Sequence, residues 1–121
     1  MSPFARLARR AEALATKTAV SAALLTAAER ANLAPADVLA PIDPNDVRHG
    51  RPDAVARAKV RRTAVYCAAT LFSRPNRQIA RAIGTSRQLV DRFVADIEAA
   101  REDAIVDREL DEIELDLMRV A

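Results

Sequence analysis

The sequence predicts an all-α fold: a compact helical domain built around a helix-turn-helix. Three observations carry this. Half of the 121 residues are apolar, and the apolar set is mainly Ala, Leu, Val and Ile, with two glycines and four aromatics (Phe4, Tyr66, Phe72, Phe93). Ala is the strongest helix former and Gly and Pro the weakest. No stretch alternates apolar and polar residues over the length of a strand. A chain of this length buries a single core without disulfides or metals.

The first helix is predicted to start at Ser2-Pro3 and run to about Thr16, since proline suits the first turn. The same Arg- and Ala-rich start, with Glu12 as its one acid, has some character of an organellar transit peptide. The amphipathic helix is the reading adopted, and residues 1–17 are set apart as an N-terminal helix. A second helix is expected over 18–32, with Val20, Leu24, Ala27 and Ala31 on one face. Pro35 opens a short helical turn over 36–39. Residues 41–52, with three prolines and Gly50, read as a loop.

Asp53 is expected to cap a helix over 54–72. Val60, Ala64, Cys67 and Leu71 form its core stripe. Val65 and Phe72 make it apolar on a second side, so it is predicted to be central. Ser73-Arg74-Pro75 ends it. A short helix over 76–83, Gly84 as a turn, and a helix capped by Ser86 and reaching about Arg101 follow. The last helix, 107–120, places Leu110, Ile113, Leu117 and Val120 on one face. Whether it continues the previous helix is open at this stage.

Charge is arranged in blocks. Residues 1–47 carry five bases and five acids, and residues 93–121 three bases and ten acids. Between them, residues 48–92 carry eleven bases against Asp53 and Asp91. A basic block of this density is the electrostatic footprint of a polyanion binder.

Other function classes find little support. His49 is the single histidine, which leaves no usual metal site and no Ser/His/Asp arrangement. No Gly-rich phosphate loop is present. The expectation is therefore a non-enzyme without cofactor, metal or small-molecule substrate. Lone Cys67 falls in the core stripe and fits a reducing compartment. No stretch approaches the ~18 apolar residues of a membrane span. The expected location is cytoplasmic, associated with the nucleoid, with no membrane partner.

The segment Asn76-Arg-Gln-Ile-Ala80-Arg-Ala-Ile-Gly84-Thr-Ser-Arg-Gln-Leu-Val90-Asp-Arg-Phe93 has helix-turn-helix spacing. Ala80 is small where the second helix crosses. Gly84 supplies left-handed backbone. Val90 is expected to pack back beside Ile79 and Ile83. At 100° per residue, Val90, Phe93, Val94 and Ile97 face inward, and Arg87, Gln88, Asp91, Arg92 and Ala95 outward. The second helix of this motif enters the major groove by its N-terminal end. Ser86, Arg87, Gln88 and Asp91 are thus the candidate base-reading residues, with Arg87 suited to guanine and Gln88 to adenine. Asp91, which repels phosphate, is read as orienting Arg87 or Arg92. Arg74, Asn76, Arg77 and Arg92 are placed for phosphates.

From Thr18 onward the chain also resembles the C-terminal DNA-binding domain, domain IV, of the bacterial replication initiator DnaA. Ala28-Glu-Arg-Ala-Asn-Leu-Ala-Pro-Ala-Asp-Val-Leu39 resembles that domain's opening helix and "VxDLL" turn. Arg61-Arg-Thr-Ala-Val-Tyr-Cys67 is similar to its "RQxAMYL" helix, and Gln78-Ile-Ala-Arg-Ala-Ile-Gly84 to "EIGRxFG". Ile97-Glu98-x-x-Arg101 and the acidic tail resemble its C-terminal end. The resemblance implies a stand-alone domain over 18–121, related in fold to Trp repressor, that binds double-stranded DNA in replication initiation or transcription. It further implies a minor-groove contact from the basic loop, Arg48, Arg51 and Arg57, and phosphate contacts from Lys59, Arg61 and Arg62. The departures are definite. The family has Asp-His-Thr-Thr where this chain has Ser86-Arg87-Gln88-Leu89, and the preceding turn is one residue shorter here. The initiator's nucleotide-binding region has no counterpart, so ATP-driven assembly does not carry over.

Three other readings stay open. One is a helix-turn-helix transcription regulator unrelated to replication. Another is a protein-interaction decoy that engages replication-initiation proteins through the acidic last third. The last is an arginine-rich domain that binds RNA or DNA without sequence preference.

Overall fold

The structure, a computed structural model, describes residues 2–120, apart from the side chain of Val120. All regular structure among the described residues is helical.

Helix α1 (Pro3–Arg30) is capped by Ser2, whose Oγ accepts from the Ala5 amide at 3.1 Å. It runs unbroken through residues 16–18, where the sequence had suggested the end of one helix and the start of another. No Gly or Pro interrupts it before Pro35, so nothing local stops it. At 28 residues it is about 42 Å long. Its first part projects beyond the body; Thr16 is the first residue that is fully buried. Asn32, in left-handed backbone, turns the chain after it.

Two five-residue helices follow, α2 (Pro35–Leu39) and α3 (Pro44–Arg48), each starting on a proline. The second lies in the stretch expected to be a loop. Proline there initiates rather than breaks, because its fixed φ and missing N–H suit the first helical position. The Asp43 carboxylate completes the cap by accepting from the Asn45 amide at 2.9 Å.

Helix α4 (Pro52–Thr70) begins two residues earlier than expected and ends two residues earlier. Pro52 takes the first position, so Asp53 lies in the first turn and does not cap. Every residue from Thr63 to Ala68 is buried, which makes α4 the central helix. Alanines at 19, 23 and 27 of α1 bury one face over three turns, and such small residues allow close approach of the helices. Ala19 joins Val65, Ala68, Ile79, Ala80 and Val90 in one cluster. Ala23 joins Ala64, Tyr66, Cys67, Leu110 and Leu117 in a second, and Ala27 and Ala28 join Val38 and Val60 in a third. Ala31, expected on the same face, is exposed.

Helices α5 (Asn76–Ile83) and α6 (Arg87–Ala100) come next, and α7 (Ala104–Val120) is a separate element. The turn between α6 and α7 is organised by Arg101. Its guanidinium donates to Asp107 at 2.7 Å, Glu114 at 2.8 Å, Asp111 at 2.5 Å and the Tyr66 hydroxyl at 3.1 Å. The Tyr66 hydroxyl in turn donates to Glu98 at 2.7 Å. Burial alone would lower the Arg101 pKa; these acceptors outweigh it and raise the value. Leu110 and Leu117 anchor α7 in the core, with Ile113 half-buried beside them. Val120, the fourth member of that expected face, lies outside the described side chains.

Candidate nucleic-acid interface

The α5–α6 unit is built from local signals. Gly84 closes α5 at φ 72° and ψ 38°, and the Thr85 amide bonds back to the Ala80 carbonyl at 2.9 Å. A Cβ at Gly84 would meet nothing within 4 Å, so the demand for glycine is purely conformational. Ser86 Oγ accepts from the Leu89 amide at 3.2 Å and opens α6. Ile79, Ala80 and Val90 are buried together where the two helices meet. Ile83 does not join them: it is 39% exposed.

The outward face of α6 is as the helical phase requires. Ser86, Arg87, Gln88, Asp91, Arg92 and Ala95 are exposed, while Val90 is buried and Phe93, Val94 and Ile97 are half-buried. Asn76, at the start of α5, donates to Asp91 at 2.7 Å. Asp91 also lies 3.7 Å from Arg87. Charge and direction of the first α6 turn are thus tied to the start of α5.

The basic block divides into two groups. Arg48, Arg62, Arg77 and Arg92 are exposed and make no ion pair among the described residues. Arg81, which the sequence reading passed over, belongs with them. It sits one turn beyond Arg77 on the exposed side of α5, and that i, i+4 spacing was its only signal. Lys59 is exposed and loosely paired with Glu109 at 3.7 Å, and Arg51 is exposed but paired with Asp46 at 2.9 Å.

The other group, three residues expected to meet DNA, is largely turned inward and already makes contacts within the protein. Arg61 Nε donates to the Val38 carbonyl at 2.7 Å and its Nη2 to the Ala40 carbonyl, holding the α2 end against α4. Burial, followed by the nearby charge of Arg57, lowers its pKa. Arg57 is mostly covered, 3.2 Å from Asp53 and 3.3 Å from the Asp37 carbonyl. Arg74 binds Thr16 Oγ1 at 3.0 Å, Gln78 Oε1 at 2.8 Å and Glu12 Oε2 at 3.0 Å. The hydrogen bond from Gln78, then the charge of Arg74, depresses the Glu12 carboxyl. These guanidiniums fasten helices to one another, with part of their donors committed to acceptors inside the protein. The pairing of Thr16 and Glu12 with Arg74 and Gln78 has no signal in the sequence, because the partners are about sixty residues away.

An open groove of about 790 Å³ lies between α1, the α2–α3 segment and α4. Leu24 of α1, Leu39, Ile42, Val47, Ile83 and Phe93 line it, with Lys17, Arg61 and Arg62 as its charged members. Among the described residues no group of His, Cys, Asp and Glu is arranged to hold a metal ion, and no helix is long and apolar enough to cross a membrane. No protein-family model matches the chain, and no curated protein or solved structure is significantly similar to it.

Proposed function

We propose that the chain binds double-stranded DNA as a helix-turn-helix protein and acts in replication initiation or transcription on the nucleoid. The observation that carries this reading is the first turn and a half of α6. There Ser86, Arg87, Gln88, Asp91 and Arg92 are exposed, with Asp91 held by Asn76, and Arg77 and Arg81 of α5 are exposed without an ion pair among the described residues. Side chains at the N-terminal end of a recognition helix meet base edges, and surrounding cations meet phosphates. The absence of a nucleophile–base pair in the sequence argues for a binding role over catalysis. The resemblance to DnaA domain IV supplies the link to replication.

The test is binding to labelled duplexes across salt concentrations. About six phosphate contacts give a log–log slope of about −5. Absence of binding at low salt removes the proposal. Selection from random duplexes follows, with the double variant Arg87→Ala, Gln88→Ala. At the preferred site each lost bidentate contact should cost about 1–3 kcal/mol, with little change on other duplexes.

The groove between α1, the α2–α3 segment and α4 favours a second reading, a module that engages replication-initiation proteins in place of DNA. In that case the double variant keeps its cellular effect although its outward face is altered.

A further inference from the structure

The projecting start of α1 carries an apolar stripe that no described residue covers. Phe4 is 85% exposed, Leu7 64% and Leu14 66%, and with Ala11 they repeat at three- and four-residue intervals along one face. That face is turned roughly 140° from the one that buries Thr16, Ala19, Ala23 and Ala27. The stripe is not a scatter of single residues, and contiguous exposed apolar surface of this kind marks an interaction site.

Next to it on the same helix lies its complement. A groove of about 600 Å³ opens where α1 meets the body, walled mainly by Leu14, Ala15, Ala22, Phe72 and Leu117, with Arg74 also in its lining. We propose that two copies of the chain pair through α1, antiparallel, so that Phe4 and Leu7 of each enter the groove of the other. The spacing allows both insertions at once. The bulky pair is centred near residue 5 or 6 and the groove near residue 16 or 17, so a two-fold axis passing by Ala11 superposes one on the other. Such an interface closes on itself. Ala8, Ala11 and Ala15 surround the crossing and let the helices approach closely.

The area fits a dimer. Counting the exposed parts of Phe4, Leu7 and Leu14 with the alanines and groove walls, each copy buries roughly 600 Å², near the lower end for specific association. A lipid surface is a poorer occupant. It is flat, and would cover the projecting Phe4 and Leu7 while leaving the groove walled by Phe72 and Leu117 empty. The inference is separate from the DNA reading, and its test contains no DNA.

The experiment is sedimentation equilibrium of the full chain. The wild type should be dimeric in the micromolar range. Leu7→Glu should weaken association by about a hundredfold or more with unchanged circular dichroism, and with the wild-type melting temperature at dilutions where both are monomers, because Leu7 is largely uncovered in the single chain. Mild oxidation should link Ala11→Cys into a disulfide dimer but not Arg9→Cys, whose side chain faces the opposite way; Cys67 is buried and does not compete. A monomeric wild type, a dimeric Leu7→Glu, or cross-linking at position 9 in place of 11 overturns the proposal. A monomer that co-sediments with phosphatidylserine vesicles overturns it in favour of a membrane surface.

Discussion

Asn76 and Asp91, fifteen residues apart, are joined by a 2.7 Å hydrogen bond that links the start of α5 to the exposed face of α6. Because Asp91 also pairs with Arg87, the bond determines where a positive charge stands on the candidate reading face. Asp91→Asn keeps an acceptor for Asn76 and removes the negative charge. Its affinity for arbitrary duplexes should rise severalfold while selectivity for the preferred site falls. Asp91→Ala also loses the contact and should cost about 0.5–1 kcal/mol of stability. Fluorescence anisotropy on two duplexes and thermal melts separate these effects.

Gly84 should be needed for its backbone alone. Gly84→Val should cost roughly 1–2 kcal/mol or more, lowering the melting temperature by about 5 °C. Gly84→Asn should cost less, since Asn tolerates left-handed backbone better. An unchanged melting temperature for the valine variant would refute the turn geometry.

Neighbouring arginines on α4 should behave oppositely. Arg61→Ala removes donors from the carbonyls of Val38 and Ala40, and should lower stability by about 1–3 kcal/mol. Arg62→Ala should leave the melting temperature alone and weaken all duplexes alike, reducing the salt slope by about 1. A stable Arg61→Ala protein would mean that those contacts contribute little.

Cys67 should make the fold sensitive to alkali. Burial, then the nearby Glu114 carboxylate, pushes its thiol up from the ordinary 9.0 to about 12. The unfolded chain therefore releases the proton first. Stability from this group is full below pH 9 and falls by about 1.4 kcal/mol per pH unit as pH rises towards 12. Denaturant titrations of Cys67→Ala should show a shallower alkaline loss. The residual slope belongs to Tyr66, whose pKa is also raised by burial. In the native protein Cys67 should resist thiol reagents that modify it readily in denaturant.

The helices and the candidate reading face were legible to very different depths. The bounds of α5, the left-handed Gly84 and the Ser86 cap follow from residues within four positions of one another, and helical phase then assigns the inner and outer sides of α6. The central burial of α4 was legible because its apolar residues occupy two sides. Helix α3 was not, since the same prolines that mark a loop also start helices, and only the capping carboxylate of Asp43 distinguishes the two. The continuity of α1 was missed for want of any stop signal to read.

By itself the sequence determined the all-helical class, the α5–α6 turn and the concentration of positive charge in residues 48–92. These depend on propensity, capping and composition, which act over a few residues or none. Tertiary structure alone decided which cations remain outward. Arg61 and Arg74 look no different in sequence from Arg62 and Arg77, yet the first pair meets acceptors from segments 21 to 62 residues away. Those acceptors arrive only when α1 and α2 pack against α4, and a guanidinium that meets them has its Nε and Nη2 donors committed inside the protein.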